Sequence, residues 1–191
     1  MSEKKNLNVS EIVVAEYEYI AQTAFQAQED RARVTTFYLV SVGSLVGAIY
    51  KTTPSTEIAT LWAFVALFLF LTYFGLLTLY QLIRLRLAWF ESIRAMNQIK
   101  DFLIKENKEL KKIFRWTNKN SPETFKRNSV AYFLALQVAT LGAVTFGALS
   151  FYLGLALFKF KANNPLLLFL VFLLSILYLI WQIYAYKKKL S

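Results

Sequence analysis

Four apolar segments, at residues 34–50, 58–80, 130–158 and 166–185, contain no acidic or basic side chain. A helix crosses the hydrocarbon of a bilayer with about 20 apolar residues. The second and fourth segments have that length. The first needs its flanking turn, and the third is long enough to tilt. At 57% hydrophobic over 191 residues, the chain carries more apolar surface than one water-soluble core of this size would hide. The expected fold class is an all-α membrane protein, with four transmembrane helices in two hairpins and long cytoplasmic helical extensions.

Lysine and arginine set the expected orientation. The amino-terminal arm has four, the stretch 81–129 has twelve and the tail has three, whereas the two short connections together have three. Basic residues stay on the cytoplasmic side of a membrane, so both termini and the central insert are expected there. The expected organisation is a cytoplasmic helix at 1–33 after a flexible lead of nine residues, a hairpin at 34–80, a cytoplasmic insert at 81–129, a second hairpin at 130–186 and a basic tail at 187–191. Tyr50, Trp62, Tyr80, Trp181, Tyr184 and Tyr186 stand near segment ends, where aromatic belts form.

Within the insert, Leu82, Trp89, Met96, Leu103 and Leu110 recur every seven residues, with Leu85, Ile99 and Ile113 on the adjoining line. That spacing draws an apolar seam along one helix. No Gly or Pro interrupts it, which predicts a helix running from the second segment to Arg115. Ser121 followed by Pro122 reads as the cap and first position of the next helix. At the amino terminus Val13, Tyr17, Ile20, Ala24 and Ala27 share a helical face, and the helix is expected to continue into the first segment. Residues 1–33 carry net charge −2 and residues 81–129 carry +7, so the two extensions are expected to pack together.

Small residues mark the first and third segments as packing helices: Gly43 and Gly47 in one, and Ala131, Ala135, Ala139, Ala143 and Gly147 in the other. The Leu- and Phe-rich second and fourth segments read as lipid-facing. Aligning Val34 with Val130 places Ser41 on Gln137, Gly43 on Ala139, Ser44 on Thr140 and Gly47 on Ala143. This is either an internal parallel repeat or the similarity common among apolar segments. Ser41, Gly43, Ser44, Gly47, Gln137, Ala139 and Thr140 are the expected pore or helix-packing positions. For Gln137 the plainer role is an interhelical hydrogen bond. One such protomer leaves small-residue ridges and cytoplasmic seams to cover, so a homo-oligomer in the lipid bilayer is expected.

Lys105, Lys108, Lys112 and Arg115 recur at three- and four-residue spacing, with Lys111 and Lys119 close by. Such a face can hold an anionic ligand, a nucleotide or a single-stranded oligonucleotide; a topology and solubility role is its plainer reading. The chain has no His and no Cys, which removes the commonest general base, the commonest metal ligand and any thiolate. No nucleotide-binding glycine loop or hydrolase elbow occurs. Neither an enzyme, nor a cofactor, nor a metal is expected. The absence of intramembrane carboxylates and lysines argues against a proton-coupled transporter. The terminal Lys188-Lys189-Leu190-Ser191 fits a dilysine retrieval signal as well as a topology signal.

The stretch from Tyr17 to Val34, YEYIAQTAFQAQEDRARV, running into the first apolar segment, completes an arrangement that resembles small bacterial membrane effectors of nucleotide-signalling antiphage systems, among them the SLATT-like and Hailong-type channel effectors. The resemblance is one of architecture over most of the chain and carries no site residue across. It implies a gated channel or pore that compromises the membrane, working beside a nucleotidyltransferase partner. The alternative is a non-conducting scaffold or accessory subunit of a membrane complex.

Overall fold

The computed structural model describes residues 9–50, 57–121 and 123–191, without the side chains of Ala48 and Tyr50. Pro122, most of the first connection and nearly all of the amino-terminal lead lie outside those residues, as does the Tyr50 ring. Four α-helices make up most of the rest: α1 (Val9–Tyr50), α2 (Ile58–Glu106), α3 (Val130–Phe158) and α4 (Pro165–Leu190). Among the described residues there is no strand. Helices α2, α3 and α4 are each long and apolar enough to cross a membrane.

Local chemistry fixes the helix ends. Ser129 caps α3 by accepting a 3.2 Å hydrogen bond from the Tyr132 amide. Asn164 caps α4 by accepting from Leu166 and Leu167, with Pro165 set at the first turn, where its missing N–H costs nothing. Helix α3 stops at Lys159, which adopts a left-handed φ of 52° while its N–H returns to the Gly154 carbonyl.

Two expectations about ends are corrected. Helix α2 ends at Glu106 rather than Arg115. Asn107 leaves the helix at φ −135° and accepts from the Glu109 amide at 3.0 Å, opening a short 3-10 turn over Lys108–Lys112. A side-chain amide that bonds its own backbone competes with the helix as a glycine or proline would. The cap before α3 is Ser129 and not Ser121, since residues 123–128 are not helical.

The chain divides into two compact units. The first joins Met1–Asp30 to Leu85–Thr124. In it Ala24 and Ala27 of α1 are buried, as are Phe90, Met96 and Asn97 of α2, and the Lys100 ammonium stands 6.0 Å from the centre of the Tyr17 ring. After Glu106 the chain turns back along α2. The Asn97 amide donates to the Ser121 hydroxyl at 2.8 Å, and the Arg86 guanidinium, stacked 4.6 Å over Trp89, donates to the Thr124 carbonyl.

The second unit joins Arg31–Arg84 to Phe125–Ser191 and contains the apolar parts of all four helices. Its centre is α3. Ala131, Ala135, Ala139 and Ala143 are buried, Gly147 faces Ser175, and Gly154 faces Leu167. Helix α4 buries only Leu167, Gln182, Tyr186 and Leu190, and exposes Phe169, Phe172, Trp181 and Tyr184. Tyr186, expected in an aromatic belt, is instead buried, and its hydroxyl donates to the Ala131 carbonyl at 3.3 Å. Helix α2 is not wholly lipid-facing either: Val65, Phe68, Leu71, Thr72, Thr78, Leu79 and Leu82 form a buried stripe, and Gly75 is buried among them.

Candidate functional site

Two places in the molecule gather polar chemistry. In the first unit, the return of the chain along α2 opens a cleft of about 570 Å³. Gln98, Asp101, Phe102 and Lys105 line it from α2, and Lys111, Thr117, Asn118 and Lys119 line it from the returning segment. Three lysines and one aspartate therefore line a space of the size that accepts small ligands. Phe102 is exposed there and offers a stacking face.

This arrangement differs from the basic face expected on a continuous helix. Because α2 ends at Glu106, Lys108 and Lys112 lie on the 3-10 turn and Arg115 lies beyond it, so these three do not share one helical face with Lys105. Of the four expected binding residues, Lys105 lines the cleft; Lys108, Lys112 and Arg115 are exposed and lie outside its lining. Lys111 and Lys119 take their place. The hydrogen bonds of Asn97 to Ser121 and to the Thr117 carbonyl, at 2.8 and 3.4 Å, hold the far wall.

In the second unit, a polar layer crosses the apolar core with at least one side chain from each helix. Tyr38 comes from α1, Thr72 from α2, Thr145 from α3, and Tyr178 and Gln182 from α4. The Thr72 hydroxyl donates to that of Thr145 at 3.4 Å, and Thr145 donates to the Gly142 carbonyl at 2.9 Å. Two glycines make the layer close-packed. A Cβ on Gly75 would stand 2.5 Å from the Tyr38 hydroxyl and 3.6 Å from the Cα of Gly142, and one on Gly142 would stand 3.1 Å from the Gln182 amide nitrogen.

No family model, curated protein or solved structure matches this chain.

The expected packing positions fare unevenly. Ala139 is buried in the core of the second unit. Ser41 is half-buried, while Gly43, Ser44, Gly47, Gln137 and Thr140 are exposed. Among the described residues nothing stands within 4 Å of a Cβ placed on Gly43 or Gly47. The proposed alignment of α1 with α3 holds for Val42 and Val138, both fully buried, and for Phe37 and Phe133, both exposed. It fails for Gly43 against Ala139 and Gly47 against Ala143, where one partner points out and the other in.

Sequence reasoning missed Tyr38, Tyr178 and Gln182. The signal was present, because Tyr178, Gln182 and Tyr186 are four residues apart and so share one face of α4. Among the described residues no cluster of His, Cys, Asp or Glu is placed to hold a metal ion.

Proposed function

We propose that this protein is an oligomeric, gated membrane channel with four spans, controlled by an anionic ligand at the Lys105–Lys111–Lys119 cleft. The observation that carries this reading is the gathering of lysines from two separate stretches of chain into one cleft of ligand size. The unit holding that cleft is built partly on α1 and α2, and both helices also contribute to the apolar unit. A ligand that binds two packings of those helices unequally shifts the balance between them, tenfold for about 1.4 kcal/mol of difference. The fourth span is α1. With an even number of crossings the amino-terminal arm, the insert and the tail, which hold most of the basic residues, share the cytoplasmic side. Nucleotides and short oligonucleotides are the ligands that fit three ammonium groups beside an exposed ring. A channel switched in this way would suit a bacterial defence effector with a nucleotidyltransferase partner.

The test is binding and ion flux in the same liposomes. Lys105→Glu/Lys119→Glu should weaken nucleotide or oligonucleotide binding at least tenfold and abolish the ligand's effect on flux. Lys108→Glu/Lys112→Glu should change both far less. Equal loss in the two double variants would mean a diffuse charge effect and would remove the cleft from the account.

A second reading, a non-conducting scaffold, draws on the tight closure of the apolar core, where Tyr38 and Val42 are fully buried. Absence of flux with every ligand and partner supplied would favour it.

A further inference from the structure

Hydroxyl groups in the apolar unit are mostly satisfied at home. Thr35, Thr78, Ser150 and Ser175 each donate to the carbonyl four residues earlier in their own helix, at 2.8 to 2.9 Å. The polar layer is different. The hydroxyls of Tyr38 and Tyr178 and both amide atoms of Gln182 are buried and make no hydrogen bond to another group of the protein. Tyr38 is 0% exposed and Gln182 1%. Thr145 lies near the Tyr38 hydroxyl and Gln182 near that of Tyr178, close enough to interact but outside hydrogen-bond geometry. Thr145 is already committed to Gly142 and Thr72.

A buried polar atom without a partner has lost its water and gained nothing in exchange. Four such atoms, on two helices and at one level of the bundle, disfavour the dry packed state. They are also all the partners a few water molecules need. A cavity of about 10 Å³ abuts Gln182 between Leu79, Ala135, Ala139 and Tyr186, but its surface is apolar, so water reaches the orphaned groups only if the helices part. Gly75 and Gly142 keep the layer thin, so a small separation of the helices suffices to admit it.

We propose that Tyr38, Tyr178 and Gln182 form a water-binding layer inside the apolar unit, dry when the four helices are packed and hydrated when they part. Water is the ligand, and its entry here is the first step of opening. The role in opening rests on the channel reading; the binding of water does not. Replacing the orphaned groups with apolar ones of the same shape should hold the bundle dry.

The chain has no cysteine, so a single thiol reports on one position. In full-length protein reconstituted in liposomes, Thr145→Cys should react with a water-requiring methanethiosulfonate reagent. Adding Tyr38→Phe and Tyr178→Phe should slow that reaction at least tenfold, and adding Gln182→Leu alone should slow it too. Without the thiol, Tyr38→Phe/Tyr178→Phe should unfold at a temperature roughly 2–8 °C above the parent. A lower unfolding temperature for that double variant would show a hydrogen-bonded clasp instead and overturn the proposal. So would a Thr145→Cys thiol that never reacts in the parent background. Neither readout uses ion flux or anion binding, so a protein that does not conduct would sink the channel and leave this result standing.

Discussion

Gly75 and Gly47 are both glycines in apolar helices, yet their surroundings assign them opposite roles. A methyl group on Gly75 would meet the hydroxyl of a fully buried tyrosine and nearly touch the backbone of α3. Gly75→Ala should therefore destabilise the protein by about 1–3 kcal/mol, the usual cost of overpacking, measured as loss of thermal stability in detergent. Gly142→Ala should cost less, because the nearest atoms are the end of the Gln182 side chain, which can turn away. A third site tests backbone strain. Lys159 holds a left-handed conformation that costs a non-glycine residue roughly 1–2 kcal/mol. Lys159→Gly should raise stability, and Lys159→Val should lower it, on the same thermal assay.

At the scale of the element, the end of α2 decides where the basic residues go. Asn107 interrupts a seam that otherwise continues from Leu103 to Leu110. Asn107→Ala removes the side chain that accepts from Glu109 and substitutes the best helix former, which should lengthen α2 and disperse the cleft. An increase in helical circular dichroism with weaker anion binding is the expected pair of results. The companion change, Asn97→Ala, should free the return segment from α2 and leave Ser121 without its donor. Its expected mark is faster hydrogen exchange over residues 107–124, with the helices of the apolar unit unchanged. Helix identity was legible from sequence because apolar length is local, and α3 spans the apolar segment 130–158; its cap was not, since Ser129 and not Ser121 precedes it. The end of α2 was not legible while only Gly and Pro were read as breakers. The polar layer depends on Tyr38 meeting α2, α3 and α4, which no local pattern states. Even so, the periodicity of Tyr178, Gln182 and Tyr186 pointed to a buried polar face.

For the whole molecule, the oligomer proposed above would join copies through Gly43 and Gly47, which are exposed, whereas Ala139 is buried inside the protomer. Gly47→Leu should therefore reduce oligomer size in detergent without lowering protomer stability, because close approach of backbones is what small residues permit. Ala139→Leu, in contrast, should destabilise the protomer itself. An unchanged oligomer in Gly47→Leu would remove that face from the assembly. The two units also differ in what they ask of a chain emerging from the ribosome. The folded-back segment is secured by contacts between residues fewer than about forty positions apart, Asn97 to Ser121 and Arg86 to Thr124, and near-neighbour contacts close early. The polar layer waits for α4, made after α1, α2 and α3, to meet α1. Synthesis thus orders events as a machine would be commissioned: every residue that lines the cleft is made before α3, and the layer proposed to take up water on opening closes only when α4 arrives.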